Sequence, residues 1–156
     1  MFIRAGGKGK LGDVMALDSA NWERYKVKLT KAMLNRVSCM SDSKWEKLFQ
    51  AVEKSDITRL DIGGATIKFL VDGVKPFHFQ NYCGDYLEGS YGVAQYKEIE
   101  WILIPAAYEI ERRNRDERLQ PMRINNDIHA LKELIDSLGL YEYDFNEDGL
   151  KIYGYK

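Results

Sequence analysis

The chain is short of the residues that usually anchor specialised chemistry. Its 156 residues include two cysteines, Cys39 and Cys83, and two histidines, His78 and His129. Two thiols exclude a disulfide framework, and their spacing matches no zinc-ligand pattern, so free thiols and no bound metal are expected. An excess of charge of one sign is also missing. The formal net charge is −1, which gives no global attraction to nucleic acid or to an anionic membrane. No apolar run is long enough to cross a bilayer, and the N-terminus lacks the apolar core of a signal peptide. A cytoplasmic protein is therefore expected, with no cofactor, no membrane and no nucleic-acid partner. The glycine-rich opening, Met1 to Val14, imitates a phosphate loop. Leu11 follows Lys10 where a Walker loop needs Ser or Thr, so the opening reads as a flexible basic arm or turn.

What is present is a run of hairpin signals from Ile57 to Phe79. Gly63-Gly64 and Asp72-Gly73 separate three segments rich in Ile, Val, Thr and Phe, the pattern of an antiparallel meander. Two-residue turns would place Val71 opposite Val74, Phe69 opposite Pro76 and Ile67 opposite His78. One face then carries Leu60, Ile62, Ala65, Ile67, Phe69, Val71 and Val74 toward the core, with His78 at its margin. The other face holds Leu70, Phe77 and Phe79 beside its charged residues. That is more apolar surface than a solvated face normally shows, so something should cover it.

Three helices are expected around this sheet. The first starts at Asp18 or Ser19, with Trp22, Tyr25, Leu29, Ala32 and Met33 on one stripe and Lys26, Lys28, Lys31 and Arg36 off it. The second starts at Ser43, with Glu46 completing a capping box and Trp45, Leu48, Phe49 and Val52 facing inward. The tryptophans read as core anchors. The third starts near Asn126 or Asp127, buries Ile128, Leu131, Leu134, Ile135 and Leu138, and ends at Gly139. Residues 106 to 123 are dense in charge of both signs. They read as a solvated helix with pairs such as Glu109 with Arg113 and Glu111 with Arg115, stopped by Pro121. The chain closes with a hairpin turning at Asn146 to Gly149. The fold class expected is α+β, a largely antiparallel sheet of five to seven strands packed on two or three amphipathic helices. Residues 40–156 are expected to form its single domain, and residues 1–39 read as a basic arm and helix added to it.

Two stretches bear on function. Residues 81 to 96 set Tyr82, Tyr86, Tyr91 and Tyr96 among Gly84, Gly89 and Gly92, with Asp85 and Glu88 nearby. Rigid amphipathic rings among adaptable polar residues suit recognition, although a surface loop whose tyrosines lie on the core has the same composition. The strand that follows, Lys97 to Pro105, alternates with Ile99, Trp101 and Leu103 on one side and Glu98, Glu100, Ile102 and Ile104 on the other. Glu98 and Glu100 would lie about 7 Å apart on one strand face. With His78 they form a conceivable acid–base site. Charges on the wet side of an edge strand read identically and also discourage aggregation. The residues Asp144, Asn146, Asp148 and Gly149 copy half a calcium loop, yet the twelfth position is Tyr155 in place of the bidentate Glu. Turn formation explains them without calcium. Cys83 has His78 and Asp85 near it in the chain, which is not evidence for a nucleophilic triad.

Three short motifs carry a family resemblance: Ser43 to Phe49 (SKWEKLF), Glu98 to Ile104 (EIEWILI) and Ile152 to Tyr155 (IYGY). Through them the segment Met40 to Lys156 resembles a group of small uncharacterised bacterial proteins of the domain-of-unknown-function type. That resemblance implies an immunity-like or partner-binding role beside toxins, and it transfers no catalytic residues. The function expected is a non-catalytic module that binds another, basic protein through Tyr82, Tyr86, Tyr91, Tyr96, Asp85 and Glu88. The alternative is a small hydrolase using Glu98, Glu100 and His78. Residues 1 to 36 carry eight Lys or Arg against three acids. A homodimer in which this segment meets the acidic surface of a second copy is a competing form of the binding reading.

Overall fold

The computed structural model describes residues 11–55, 62–79, 87–89, 92–110 and 121–156. In chain order the elements are α1 (Leu11–Leu34), α2 (Asp42–Lys54), β1 (Thr66–Phe69), β2 (Val74–Pro76), β3 (Leu87–Gly89), β4 (Gly92–Ala94), β5 (Ile99–Pro105), β6 (Ala107–Ile110), β7 (Met122–Asn125), α3 (Ile128–Leu138), β8 (Tyr143–Asn146) and β9 (Gly149–Tyr153). The fold is α+β. A five-stranded antiparallel sheet runs in the order β2-β1-β5-β9-β8, and β3-β4 and β6-β7 form separate two-stranded ribbons. Residues 1–10, 56–61, 80–86, 90–91 and 111–120 include the glycine-rich opening, most of the first expected strand and three of the four loop tyrosines, Tyr82, Tyr86 and Tyr91. Expectations about them lie outside the described residues.

The two striped helices α2 and α3 cover one face of this sheet. Trp45, Leu48, Phe49 and Val52 of α2 and Ile128, Leu131 and Ile135 of α3 are buried against Ile67, Phe69, Ile102, Ile104, Leu150 and Ile152. Caps explain where the helices start. Ser41 Oγ accepts from Lys44 N at 3.2 Å, so the cap of α2 lies two residues before the expected Ser43, and Asp127 Oδ1 accepts from Ala130 N at 3.0 Å. The C-terminal strand fits closely under α2. A Cβ on Gly154 would run into the Ile99 carbonyl oxygen and meet the Trp45 ring at 3.2 Å, so only glycine suits this crossing.

Four expectations are corrected. The first hairpin pairs Thr66 with Pro76, Ile67 with Lys75 and Lys68 with Val74, not through a two-residue turn. Pairing of β1 with β2 ends at Lys68 and Val74, so Phe69 to Gly73 link the two strands, and Leu70 within that link is buried with Tyr25, Leu29 and Tyr155 in a second cluster. Val74, placed on the core face by the shorter turn, is exposed. Phe77 and Phe79 are buried in the main core. Secondly, residues 107–110 and 122–125 are strands, paired Ala107 with Asn125 through Ile110 with Met122, so the charged segment is not one helix stopped at Pro121. Tyr108, Ile110 and Ile124 favour a strand, and i, i+4 charge pairs do not outweigh that. Thirdly, α1 extends back to Leu11, through Gly12. Fourthly, Trp22 is 38% exposed and stacks on Tyr25 at 5.6 Å, so it is no core anchor, while Trp45 is one.

The central strand carries the feature that positions the candidate site. Lys68 pairs with Trp101 but Phe69 pairs with Ile99, which leaves Glu100 as an extra residue on β5. This β-bulge puts Ile99 in the main core with Ile102 and Ile104 and turns Glu100 toward Lys68 on the opposite side. The regular alternation expected for this strand therefore breaks at Glu100.

Candidate functional site

Glu98 and Glu100 are the buried charged residues of the described chain, each 4% exposed. They do not lie on a wet edge. β5 is the middle strand of the sheet, and Glu98 precedes it in a 3-10 turn, Tyr96–Glu98. That turn bends the Glu98 carboxylate back so that Oε2 accepts from the backbone N–H of Gln95, satisfying a donor at the turn's start. Its other oxygen, Oε1, accepts from the Tyr25 hydroxyl of α1. The bulged Glu100 meets two cations. Lys68 Nζ stands 2.9 Å from Oε2, and Arg36, just past the end of α1, makes an ion pair with Oε1 that is not aligned as a hydrogen bond.

Each carboxylate is thus met by a partner at or just beyond α1 and by one from the sheet side. Around them Tyr25, Leu29, Leu70 and Tyr155 are buried together, with Ala32, Met33 and Val71 partly buried. Tyr155 donates through its hydroxyl to the Lys97 carbonyl at 2.7 Å, and burial pushes that phenol up, so it stays protonated at neutral pH. The backbone closes the arrangement: Gly154 N and Tyr155 N both donate to the Glu100 carbonyl, and residues 37 and 39 hydrogen-bond to residues 156 and 154. The site is a polar clamp between α1 and the bulge. An acid–base pair has to reach a substrate proton, and these two carboxylates are enclosed and contacted by groups of the chain itself.

Of the other expected site residues, His78, Glu88 and Tyr96 are described. His78 is exposed beyond β2, and among the described residues no group of three His, Cys, Asp or Glu could hold a metal ion. Tyr96 is buried in the main core with its ring 5.9 Å from that of Phe49, so it packs inward and does not stand on a recognition surface. Glu88 belongs to β3, paired at the backbone with Val93 of the ribbon. Tyr82, Asp85, Tyr86 and Tyr91, like Cys83, lie outside the described residues. Cys39 is a free thiol whose pKa is raised by burial and then by the Glu142 charge. In the last hairpin Asn146 Oδ1 accepts from the N–H groups of Asp148 and Gly149, at 2.8 and 3.2 Å, which accounts for the calcium-like spacing as turn chemistry.

Sequence reading missed Tyr25, Arg36 and Lys68 as partners of the acids. Tyr25 was visible as part of an inward stripe. The signal for Arg36 was the excess of bases in residues 1 to 36 opposite the acids of residues 80 to 104, whereas Lys68 stood on the charged face of the expected meander.

A family model, that of the family of unknown function DUF6678, matches residues 28–156. The chain belongs to this family. The match includes Arg36, Lys68, Glu98 and Glu100 and begins within α1, three residues after Tyr25. No curated protein and no solved structure matches the chain. Among the described residues no helix is long and apolar enough to cross a membrane.

Proposed function

We propose that this DUF6678 protein is a non-catalytic protein-binding module that uses its acidic, tyrosine-rich segment around residues 81–91 to hold a basic partner. The observation that carries this reading is the enclosure of Glu98 and Glu100: both are bound to partners within the chain, so the acids favoured by the hydrolase alternative already have structural work. The ribbon β3-β4, which is separate from the main sheet, supports it further, because Tyr86 and Tyr91 flank its strands in sequence. Tyrosines presented beside glycines lose little conformational entropy on binding, and Asp85 and Glu88 would steer a basic partner. On this reading the protein acts in a bacterial cytoplasm, in the manner of an immunity protein that neutralises a toxin.

The test compares proteins retained by the immobilised chain with those retained by a Tyr82→Ala, Tyr86→Ala, Tyr91→Ala variant of unchanged circular dichroism. Loss of a retained basic protein is expected, and equal retention ends the proposal. Reproducible hydrolysis of a phosphoester or glycoside, abolished by Glu98→Gln or Glu100→Gln in a folded variant, would move the assignment to the enzyme.

A further inference from the structure

α1 buries little for its length. Of its side chains from Ala20 onward, Tyr25 and Leu29 are buried, Ala32 and Met33 are half-buried, and the rest are exposed. Helices are normally held by the packing of an apolar stripe, because isolated ones are marginal in water. The inward stripe here ends in two polar contacts, Tyr25 to Glu98 and, just past the helix, Arg36 to Glu100.

The outward face has a composition of its own. Arg24, Val27, Lys28, Lys31 and Leu34 follow one another at i, i+3, i+4, i+7 and i+10, so they share one side of the helix, opposite Tyr25 and Leu29. Val27 is 55% exposed and Leu34 80%, and Val37, just beyond the helix, is 70% exposed. No acid lies among these positions. Glu23 pairs with Lys26 on the flank at 3.4 Å, and no ion pair to Arg24, Lys28 or Lys31 occurs among the described residues. This is an apolar seam bordered by three cations with no counter-charge among the described residues.

The same chain carries the complementary surface at the other side of its sheet. β8 is an edge strand, and residues 140 to 150 contain Glu142, Asp144, Glu147 and Asp148 with no Lys or Arg. All four acids are exposed, and Leu140 beside them is 91% exposed. Glu142 has Lys156 Nζ at 3.4 Å and the Leu140 carbonyl accepts from Lys44 Nζ, so Asp144, Glu147 and Asp148 carry the unbalanced charge of this edge. The segment 80 to 104 is the weaker acidic surface, since Glu98 and Glu100, two of its four acids, are buried.

We propose that the protein self-associates by docking the outward face of α1 of one copy against the acidic β8 edge and Leu140 of a second copy. Val27 and Leu34 meet Leu140, and Arg24, Lys28 and Lys31 meet the edge carboxylates, an apolar centre with a charged rim. A direct α1-to-α1 contact would oppose like charges, so the contact joins two different surfaces. It closes into a dimer when both copies reciprocate. A nucleic acid would use the three cations and leave Val27 and Leu34 without a role. A membrane would call for a broader apolar face. The inference concerns surfaces distinct from the tyrosine-rich segment, so it stands or fails independently of the binding proposal above.

Sedimentation velocity of the full chain tests it, at ionic strengths of about 0.01 M and about 1 M, where screening lengths are about 30 Å and about 3 Å. A concentration-dependent dimer is expected at low salt, weakened about tenfold or more at high salt. Arg24→Glu with Lys31→Glu should give a monomer, and Glu142→Lys with Glu147→Lys should do the same. An equimolar mixture of the two double variants, each showing wild-type circular dichroism, should restore association, because each reversed helix then meets a reversed edge. A wild-type monomer at all concentrations at low salt overturns the proposal. So does a dimer that survives both reversals, or a mixture of the variants that stays monomeric. Binding of the wild type to a single-stranded oligonucleotide, lost in the helix variant while the protein remains monomeric, also overturns it in favour of nucleic acid.

Discussion

The Tyr25 hydroxyl donates to the Glu98 carboxylate across 73 positions of chain. This contact ties the middle of α1 to the turn that feeds the central strand, and it gives a buried carboxylate one of its two partners. Removing the donor leaves the oxygen enclosed and unpaired. Tyr25→Phe should therefore destabilise the protein by about 1–3 kcal/mol, the range for an unsatisfied buried polar group. Urea unfolding of Tyr25→Phe, Glu98→Gln and the double variant checks it. Strictly additive losses would show that the two groups do not interact.

Glu100 depends on its cations in the same way. Lys68→Met should cost about 1–3 kcal/mol, below the range of about 3–5 kcal/mol for fully buried pairs because Lys68 is itself 29% exposed. Lys68→Met combined with Glu100→Leu should recover part of that loss, since an apolar pair leaves no carboxylate enclosed. Thermal unfolding of the single and double variants decides it, and a double variant no more stable than Lys68→Met alone would contradict the clamp.

A titration prediction follows from the outer side of the sheet. Tyr153 donates to Asp144 Oδ2 at 2.6 Å, and this hydrogen bond, followed by burial and the carboxylate's charge, pushes its pKa from 10.0 up to about 12. A raised folded-state pKa means that the fold favours the protonated phenol. The associated stability is complete below pH 10 and is lost as pH rises through about 12. Ultraviolet titration should show, among its late-ionising tyrosines, one that moves earlier in Asp144→Asn. An unchanged curve in that variant would assign the late ionisation elsewhere.

Gly154→Ala tests the crossing of the last strand under α2. The added methyl would press on the Ile99 carbonyl and the Trp45 ring, and overpacking of this kind costs about 1–3 kcal/mol. A lower urea midpoint at unchanged slope is expected, and a midpoint equal to wild type would show that the strand can shift without penalty.

Much of the architecture was legible in local patterns. The α2 stripe of Trp45, Leu48, Phe49 and Val52, the α3 stripe of Ile128, Leu131 and Ile135, and the Asn146–Gly149 turn all follow from spacings within a few residues, because helix period and turn chemistry are local properties. The helix expected over 106 to 123 failed for the same reason in reverse. Charge pairs at i, i+4 are equally compatible with strands, and the partner that makes Ala107–Ile110 a strand, Met122–Asn125, is supplied from further along the chain.

The sequence by itself determined the fold class, the two core helices and the lack of a disulfide framework, since these depend on composition and on periodicities of two and 3.6 residues. Tertiary structure alone decided where Glu98 and Glu100 lie and which groups meet them. The strand pattern assigned them to one wet face, but a 3-10 turn removes Glu98 from the strand and a single extra residue against β1 turns Glu100 away from Ile102 and Ile104. A bulge exists only where two strands meet out of step, and Tyr25, Arg36 and Lys68 reach the acids from distant parts of the chain. Long-range pairing of that kind has no local signature, so only the assembled sheet and helix could reveal the buried clamp.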